Sequence, residues 1–305
     1  MRTLVVGAGA VGGYFGGRLL EAGRHVTFLV RPGRASQLAR TGLRIRSRFG
    51  NVDLPKPPVL LAGEPHQGFD LVLLSCKAYD LEGAIESIAP FVGPDTAVLP
   101  LLNGMRHLDV LDERLGREHI LGGRCVIAAT LNAEGEVVHL NDSHGIAFGE
   151  RDGSDSERVR AIAALMQGAG FESQASGNIL LDMWEKWVFL ASLAGSTCLM
   201  RASIGEICEA PGGVDFIVAL LDECRSIAAA AGYVVREESW QRTAGMLTAK
   251  GSTLTASMLR DIERNAPIEA GHIIGDLLRR AQGQVQRLSI AYTHLKAYEL
   301  RRKNN

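Results

Sequence analysis

No cysteines stand at CxxC spacing, the histidines form no ligand-like cluster, and no apolar run reaches the length of a bilayer span. The five cysteines, Cys76, Cys125, Cys198, Cys208 and Cys224, are odd in number and lie mostly in apolar runs. A thiol in such a setting packs as a small hydrophobe. This argues against a disulfide scaffold and for a reduced, cytoplasmic compartment. Without His/Cys clusters, neither a structural nor a catalytic metal is expected. The first apolar run, Leu4-Val5-Val6, is too short for the hydrophobic part of a signal peptide. The stretch from Trp187 to Met200 is interrupted by Ser192, Gly195, Ser196 and Thr197. It falls short of the ~18 to 20 residues that a membrane helix needs.

Charge of one sign is also missing. The chain of 305 residues carries 33 basic and 34 acidic side chains, a formal net charge of −1. That balance gives no electrostatic reason to expect nucleic acid or an anionic membrane as partner. The ending Arg301-Arg302-Lys303 reads as a solvated helix end. With 46% hydrophobic and 22% charged residues, the composition is that of a globular protein long enough for two domains.

What is present is an alternation of short apolar, β-branched runs with helical patterns, the signature of βαβ units. Thr3–Val6, Val26–Val30, Leu71–Ser75 and Ala97–Pro100 are candidate strands, apolar on both faces as in a covered parallel sheet. Leu43–Arg46 and Val59–Leu61, separated by Pro55, Pro57 and Pro58, read as an irregular excursion. Cys125–Thr130, Val137–Leu140 and Ile146–Phe148 read as later strands, with a turn at Glu134-Gly135. Beyond Ser176 only helical patterns remain: Leu180–Leu199, Val214–Ala231, Glu237–Thr248, Thr255–Arg264, Ile268–Gln282 and Ser289–Arg302. The expected fold is α/β: a Rossmann-type doubly wound sheet over residues 1–174, then an all-helical domain over 175–305. The long apolar helices of the second half would bury either the domain's own core or a homodimer interface.

Gly7-Ala8-Gly9-Ala10-Val11-Gly12 follows the first strand and opens a helical pattern. In a dinucleotide-binding turn one such glycine makes the tight bend, one admits the pyrophosphate and one allows close helix–strand packing. The helix N-terminus then offers unpaired N–H groups to the phosphates. Arg31 lies nineteen residues after Gly12, at the end of the second strand, where an NAD site usually carries an acid. A guanidinium there suits a 2′-phosphate, so NADP(H) is the expected cofactor, with Arg34 near enough to assist. An ordinary surface arginine is the alternative. Lys77 and Asn103 follow two further strands, at the sheet end where doubly wound folds bind ligands. Asn103-Gly104 is equally a common turn dipeptide, and Lys77 alone equally a solvated lysine.

On the Leu180–Leu199 pattern, Leu180, Trp184, Trp187, Val188 and Ala191 form one apolar stripe. Lys186 stands off that stripe, one turn from Met183 and Leu190. It either snorkels past apolar neighbours or lines a cleft where it can transfer protons. Glu185 beside it keeps a solvated-face reading open.

Taken in order, Gly7–Gly12, Arg31, Ser75-Cys76-Lys77-Ala78, Leu102-Asn103-Gly104-Met105, Trp184-Glu185-Lys186, and Ser257-Met258-Leu259-Arg260-Asp261-Ile262 with Ile268-Glu269 resemble the ketopantoate reductase (2-dehydropantoate 2-reductase) family over nearly the whole chain. The resemblance implies a soluble NADPH-dependent enzyme of pantothenate biosynthesis that reduces 2-dehydropantoate to pantoate in a cleft between two domains. It implies that Gly7, Ala8, Gly9, Ala10, Val11, Gly12 and Arg31 bind the cofactor, and that Lys77 and Asn103 line its nicotinamide end. Lys186 would be the general acid, Ser257 would bind the substrate carboxylate, and Glu269 would support the cofactor or active-site hydrogen bonds. Taken without the family, Ser257 could merely start a helix, and Glu269 follows Pro267 where any acid suits a helix start.

There is one departure. The family usually places asparagines four and eight residues beyond the lysine, where this chain has Leu190 and Ala194. Leucine cannot replace an amide that both donates and accepts hydrogen bonds. A bulkier or less polar 2-keto acid, or another ketone, is therefore an alternative substrate. Two further alternatives are a β-hydroxyacid-type dehydrogenase and a non-catalytic NADP(H)-sensing regulatory protein.

Overall fold

The computed structural model describes residues 1–304. Two compact units emerge: Met1–Leu102 with His107–Leu180, and Asn103–Arg106 with Leu181 onward. The short segment Asn103–Arg106 groups with the second unit.

The first unit begins β1 (Arg2–Val6), α1 (Ala10–Glu21), β2 (His25–Leu29), α2 (Pro32–Thr41), β3 (Leu43–Arg46), β4 (Val52–Leu54), β5 (Val59–Leu60) and β6 (Leu71–Leu74). It continues with α3 (Leu81–Ile88), β7 (Ala97–Pro100), α4 (Arg106–Leu115, whose first residue groups with the second unit), β8 (Gly122–Leu131), β9 (Val137–Gly149), α5 (Glu157–Met166) and β10 (Glu172–Ala175). Strands β5-β2-β1-β6-β7 form an all-parallel sheet in that order. The order reverses direction between β1 and β6, the crevice at which doubly wound sheets take their ligands. Leu71–Leu74 and Ala97–Pro100 are buried along their whole length, as expected of strands covered on both faces.

A second sheet is built on β9, which runs antiparallel to β8 and parallel to β3 and β10, with β4 beyond β3. Helix α1 lies between the two sheets, which explains four glycines in a helix despite their poor propensity. A Cβ at Gly16 would stand 2.6 Å from the Phe28 ring, one at Gly13 2.9 Å from Val137, and one at Gly17 2.7 Å from Ile45. Close packing on both faces leaves no room for side chains there.

The irregular excursion expected around Leu43–Leu61 is ordered: β3 and β4 pair as a hairpin of the second sheet, and β5 edges the first. Val137–Leu140 and Ile146–Phe148 are parts of one strand, β9. The polar stretch between them resembles a loop in sequence. It bulges out of the pairing with β8, whose partners pass from His144 directly to His139, and there the Asn141 side-chain oxygen accepts from Ala128 N at 3.0 Å. β10 is exposed at all four positions, so no apolar alternation announced it.

The second unit contains α6 (Ile179–Met200, helical from the end of the first unit), α7 (Ile204–Glu209), α8 (Gly213–Ala230), α9 (Glu237–Leu247), α10 (Ser257–Glu263), α11 (Asp276–Arg279) and α12 (Gln286–Asn304). The unexpected α7 is short but begins with a capping box between Ser203 and Glu206. Trp184, Trp187, Val188 and Ala191 of α6 are buried, and Gly195 packs on Leu220 of α8 and Ala291 of α12. The expected helix over Ile268–Gln282 forms over its middle, where a wide π turn at Gly271–Gly275 runs directly into α11. Trp187 Nε1 donates to the Ile273 carbonyl inside that turn at 2.8 Å. An outside donor of this kind is one recognised cause of an opened helical ladder. No helix among the described residues is long and apolar enough to cross a membrane.

Candidate active site

In the first unit the chain leaves β1 through Gly7, whose φ of +88° is a conformation that side chains disfavour. Gly9 caps α1 with no side chain over the helix end, and nothing lies within 4 Å of where its Cβ would be. A Cβ at Gly12 would stand 2.1 Å from the Gly7 carbonyl oxygen and 2.2 Å from Ser75 Oγ. Bend, open approach and tight packing are thus divided among the three glycines as a dinucleotide-binding turn requires. Ala8, Ala10 and Val11 complete the turn, and no acidic residue occupies the first turn of α1 to oppose a phosphate. These residues fit a dinucleotide pyrophosphate at the helix N-terminus.

The carboxyl ends of β1 and β6 are joined by Ser75, whose hydroxyl donates to the Val6 carbonyl at 2.8 Å. Lys77, two residues further on, is half-buried rather than fully solvated and begins the 3₁₀ turn Ala78–Asp80. Arg31 caps the start of α2, with a side chain 80% exposed and its Nη2 2.6 Å from the Asp80 carboxylate. Arg34 does not stand free beside it. Its Nε donates to the Ala8 carbonyl at 3.0 Å, and Nη1 donates to Gln37 and to the Gly135 carbonyl. Arg34 therefore braces the glycine turn against the β8–β9 turn. Burial pulls its pKa below the ordinary arginine value.

In the second unit, Lys186 Nζ donates to Asn103 Oδ1 at 2.8 Å. Lys186 is half-buried, and no charged residue follows it on α6. Asn103-Gly104 makes its turn with Gly104 at φ +76°, and His272 packs on that glycine. The His272 imidazole is buried and hydrogen-bonds the Asn103 backbone. Burial lowers its pKa, working against the nearby negative charges of Glu269 and Asp276. Glu269 is itself buried, and its carbonyl accepts from His272 N and Ile273 N. Asn103, Lys186 and the Glu269–His272 turn thus form one neighbourhood.

Ser257 is the exposed first residue of α10. The preceding residue, Ala256, donates its N–H to Thr197 Oγ1 of α6 at 3.3 Å. Positions 186, 190, 194 and 197 follow one another at helical spacing along α6. The stripe that starts at Lys186 therefore runs past Leu190 and Ala194 to the start of α10.

Glu185 is not on a solvated face. It is buried and accepts from Arg236 N at 2.9 Å and Arg236 Nε at 2.8 Å, while Arg236 Nη2 also reaches Asp182. Burial opposes ionisation of Glu185, but these hydrogen bonds and the Arg236 charge prevail and hold its carboxyl below the usual range. Tyr233 in the same connection stacks on Trp184, at 5.4 Å between ring centroids. The connection between α8 and α9 thus grips α6 immediately before Lys186. No group of three or more His, Cys, Asp or Glu residues suited to a metal ion occurs among the described residues.

Two family models match this chain: ketopantoate reductase PanE/ApbA over residues 3–153, and the C-terminal part of the same enzyme over residues 178–299. The chain belongs to the ketopantoate reductase family. The uncharacterized oxidoreductase YkpB of Bacillus subtilis is 39% identical, over 98% of this chain and 99% of that protein. The 2-dehydropantoate 2-reductase of Archaeoglobus fulgidus is 29% identical, over 92% and 91%. The crystal structure of 2-dehydropantoate 2-reductase from Geobacter metallireducens superimposes with a TM-score of 0.89 at 27% identity, covering 97% of this chain and 99% of that one.

Within this ketopantoate reductase family member, sequence reasoning missed three residues. Asp80 lies on a turn with no motif of its own, and Arg236 sits fifty-one residues from the acid it pairs with. His272, three residues after Glu269 on an apolar stretch, was the one with a readable signal.

Proposed function

We propose that this protein is an NADPH-dependent oxidoreductase that reduces a 2-keto acid, with 2-dehydropantoate to pantoate, a step of pantothenate biosynthesis, as the leading reaction. The observation that carries this reading is the hydrogen bond from Lys186 Nζ to Asn103 Oδ1, made from a helix that carries no charge beyond the lysine. Bound at the glycine turn, NADPH would supply a hydride to the carbonyl carbon of the substrate. The Lys186 ammonium polarises the carbonyl oxygen and gives it a proton as negative charge develops there. Asn103 accepts one of the three ammonium N–H bonds, which fixes the direction of the other two. Ser257 takes the substrate carboxylate, and Glu269 supports the cofactor and the hydrogen bonds around Asn103. Arg31 takes the 2′-phosphate, and Lys77 lines the nicotinamide end. None of the five cysteines is disulfide-bonded, which suits a reducing, cytoplasmic setting.

A second reading concerns the substrate alone, and Leu190 and Ala194 favour it. An apolar pair along the stripe beyond Lys186 suits a 2-keto acid or ketone with a bulkier, less polar substituent. The test is NADPH oxidation with 2-dehydropantoate beside a panel of branched and aryl 2-keto acids and simple ketones. Turnover of 2-dehydropantoate above the rest supports the leading reaction, and preference for another member supports the second reading. Tight NADPH binding with no turnover of any carbonyl compound would leave a cofactor-sensing protein instead.

A further inference from the structure

Asp80 occupies the N-cap position of α3, where an aspartate side chain ordinarily accepts from the backbone N–H groups of the first turn. Here it makes no such bond. Its carboxylate instead reaches the Arg31 guanidinium, forty-nine residues away in sequence, at 2.6 Å. Both side chains belong to the first unit, and both remain open to solvent: Arg31 is 80% and Asp80 32% exposed.

Dinucleotide folds distinguish their two cofactors at the end of the second strand. An acid there accepts the ribose hydroxyls of NADH, and a cation there holds the 2′-phosphate of NADPH. This chain supplies both groups at one place, the cation from the end of β2 and the acid from the turn after β6. Their opposite charges cancel. Asp80 engages Nη2 of Arg31, and the rest of the guanidinium fork faces outward. A 2′-phosphate, with nearly two negative charges, meets the guanidinium with a carboxylate beside it. A ribose with a free 2′-hydroxyl meets the same carboxylate as a hydrogen-bond acceptor.

We propose that Asp80 is a specificity-determining residue that narrows the preference for NADPH over NADH by pairing with Arg31. The inference rests on the reading of Gly7–Gly12 as a nicotinamide dinucleotide site, and it adds that the site takes both cofactors with limited discrimination. Replacing the carboxylate by an amide removes the negative charge, keeps the shape and leaves α3 without any cap bond to lose.

The experiment is calorimetric titration of the wild type and of Asp80→Asn with NADPH and with NADH, without substrate. In the wild type the two dissociation constants should lie within about two orders of magnitude of each other. In Asp80→Asn the NADPH constant should fall about tenfold, the size of one unit-charge repulsion at a solvent-exposed site. The NADH constant should stay the same or rise. An unchanged ratio of the two constants overturns the proposal, including the case in which both rise together, which would make Asp80 a structural brace. A wild type that binds neither dinucleotide overturns the dinucleotide reading itself, and the role of Asp80 with it.

Discussion

Lys186 Nζ and Asn103 Oδ1 stand 2.8 Å apart, although eighty-three residues separate them in the chain. Asn103 Oδ1 is a neutral amide oxygen, so this bond orients the ammonium without itself cancelling charge. A carboxylate in the same place would hold the proton more firmly and oppose its transfer. Lys186→Met should therefore lower kcat by about 10²- to 10⁴-fold, the usual share of a positioned general acid. Binding of NADPH, followed by titration of intrinsic fluorescence, should hardly change. Asn103→Leu should lower kcat less and leave the rate still dependent on Lys186.

Glycines 9 and 12 should behave oppositely. A Cβ at Gly12 would lie 2.1 Å from the Gly7 carbonyl oxygen, whereas one at Gly9 meets nothing within 4 Å. Gly12→Ala should destabilise the protein by about 1–3 kcal/mol through overpacking. Gly9→Ala should unfold in urea at the wild-type midpoint and yet bind NADPH more weakly, because the methyl group occupies the phosphate approach. If Gly9→Ala bound NADPH as well as the wild type, the turn would not be the pyrophosphate site.

The parallel sheet was legible because its strands are buried on both faces and so read as unbroken apolar runs, Leu71–Leu74 most clearly. The glycine turn was legible because each glycine answers a separate steric demand. β10 and the middle of β9 were not: β10 is exposed throughout and held by its pairing with β9, and the polar middle of β9 bulges from β8 at the Asn141–Ala128 bond. Within the candidate site, Lys186 stood out as a charge on an apolar helix. Its neighbour Glu185 did not, because local sequence cannot reveal that a distant Arg236 neutralises it.

That ion pair makes a prediction about stability. Glu185 and Asp182 are 5% and 11% exposed in their side chains, and Arg236 serves both. Arg236→Met should cost about 3 kcal/mol, near the lower end for breaking a buried pair, since Arg236 is half exposed. The pH dependence carries the sign. In the wild type the Glu185 pKa is depressed, so its stabilising contribution is present above about pH 4.3 and is lost as pH falls through the native value. Without Arg236, burial acts on Glu185 against only the weaker hydrogen bond with the Ser239 side chain and raises its pKa, so the deficit of the variant should shrink on acidification. Urea unfolding of both proteins at several pH values checks this, and a deficit independent of pH would refute it.

His272 should give a second pH signature at higher pH. Its native pKa lies below the ordinary histidine value because of burial. The unfolded chain therefore takes up the proton first as pH falls. The contribution of His272 is present above about pH 6.5 and is lost as pH drops through the native pKa. His272→Gln should flatten part of the stability loss on the acid side of pH 6.5. Since the ring packs on Gly104 and bonds the Asn103 backbone, the same variant should also lower kcat with little change in NADPH affinity.

Leu190 is half-buried on α6, one turn beyond Lys186, and Ala194, one turn further, is buried. Leu190 is the more informative position to change, since an amide there is not forced into a full core. If the apolar stripe selects the substrate, Leu190→Asn should raise kcat/KM for 2-dehydropantoate and lower it for a bulky, less polar 2-keto acid. A shift in their ratio of about 10-fold or more is expected, because one changed pocket contact discriminates by that order. The ratio is the quantity to follow, since a general loss of folding or of cofactor binding would lower both rates together. A ratio that does not move would mean that the substrate lies away from residue 190, and that the missing amides along α6 do not set the choice of ketone.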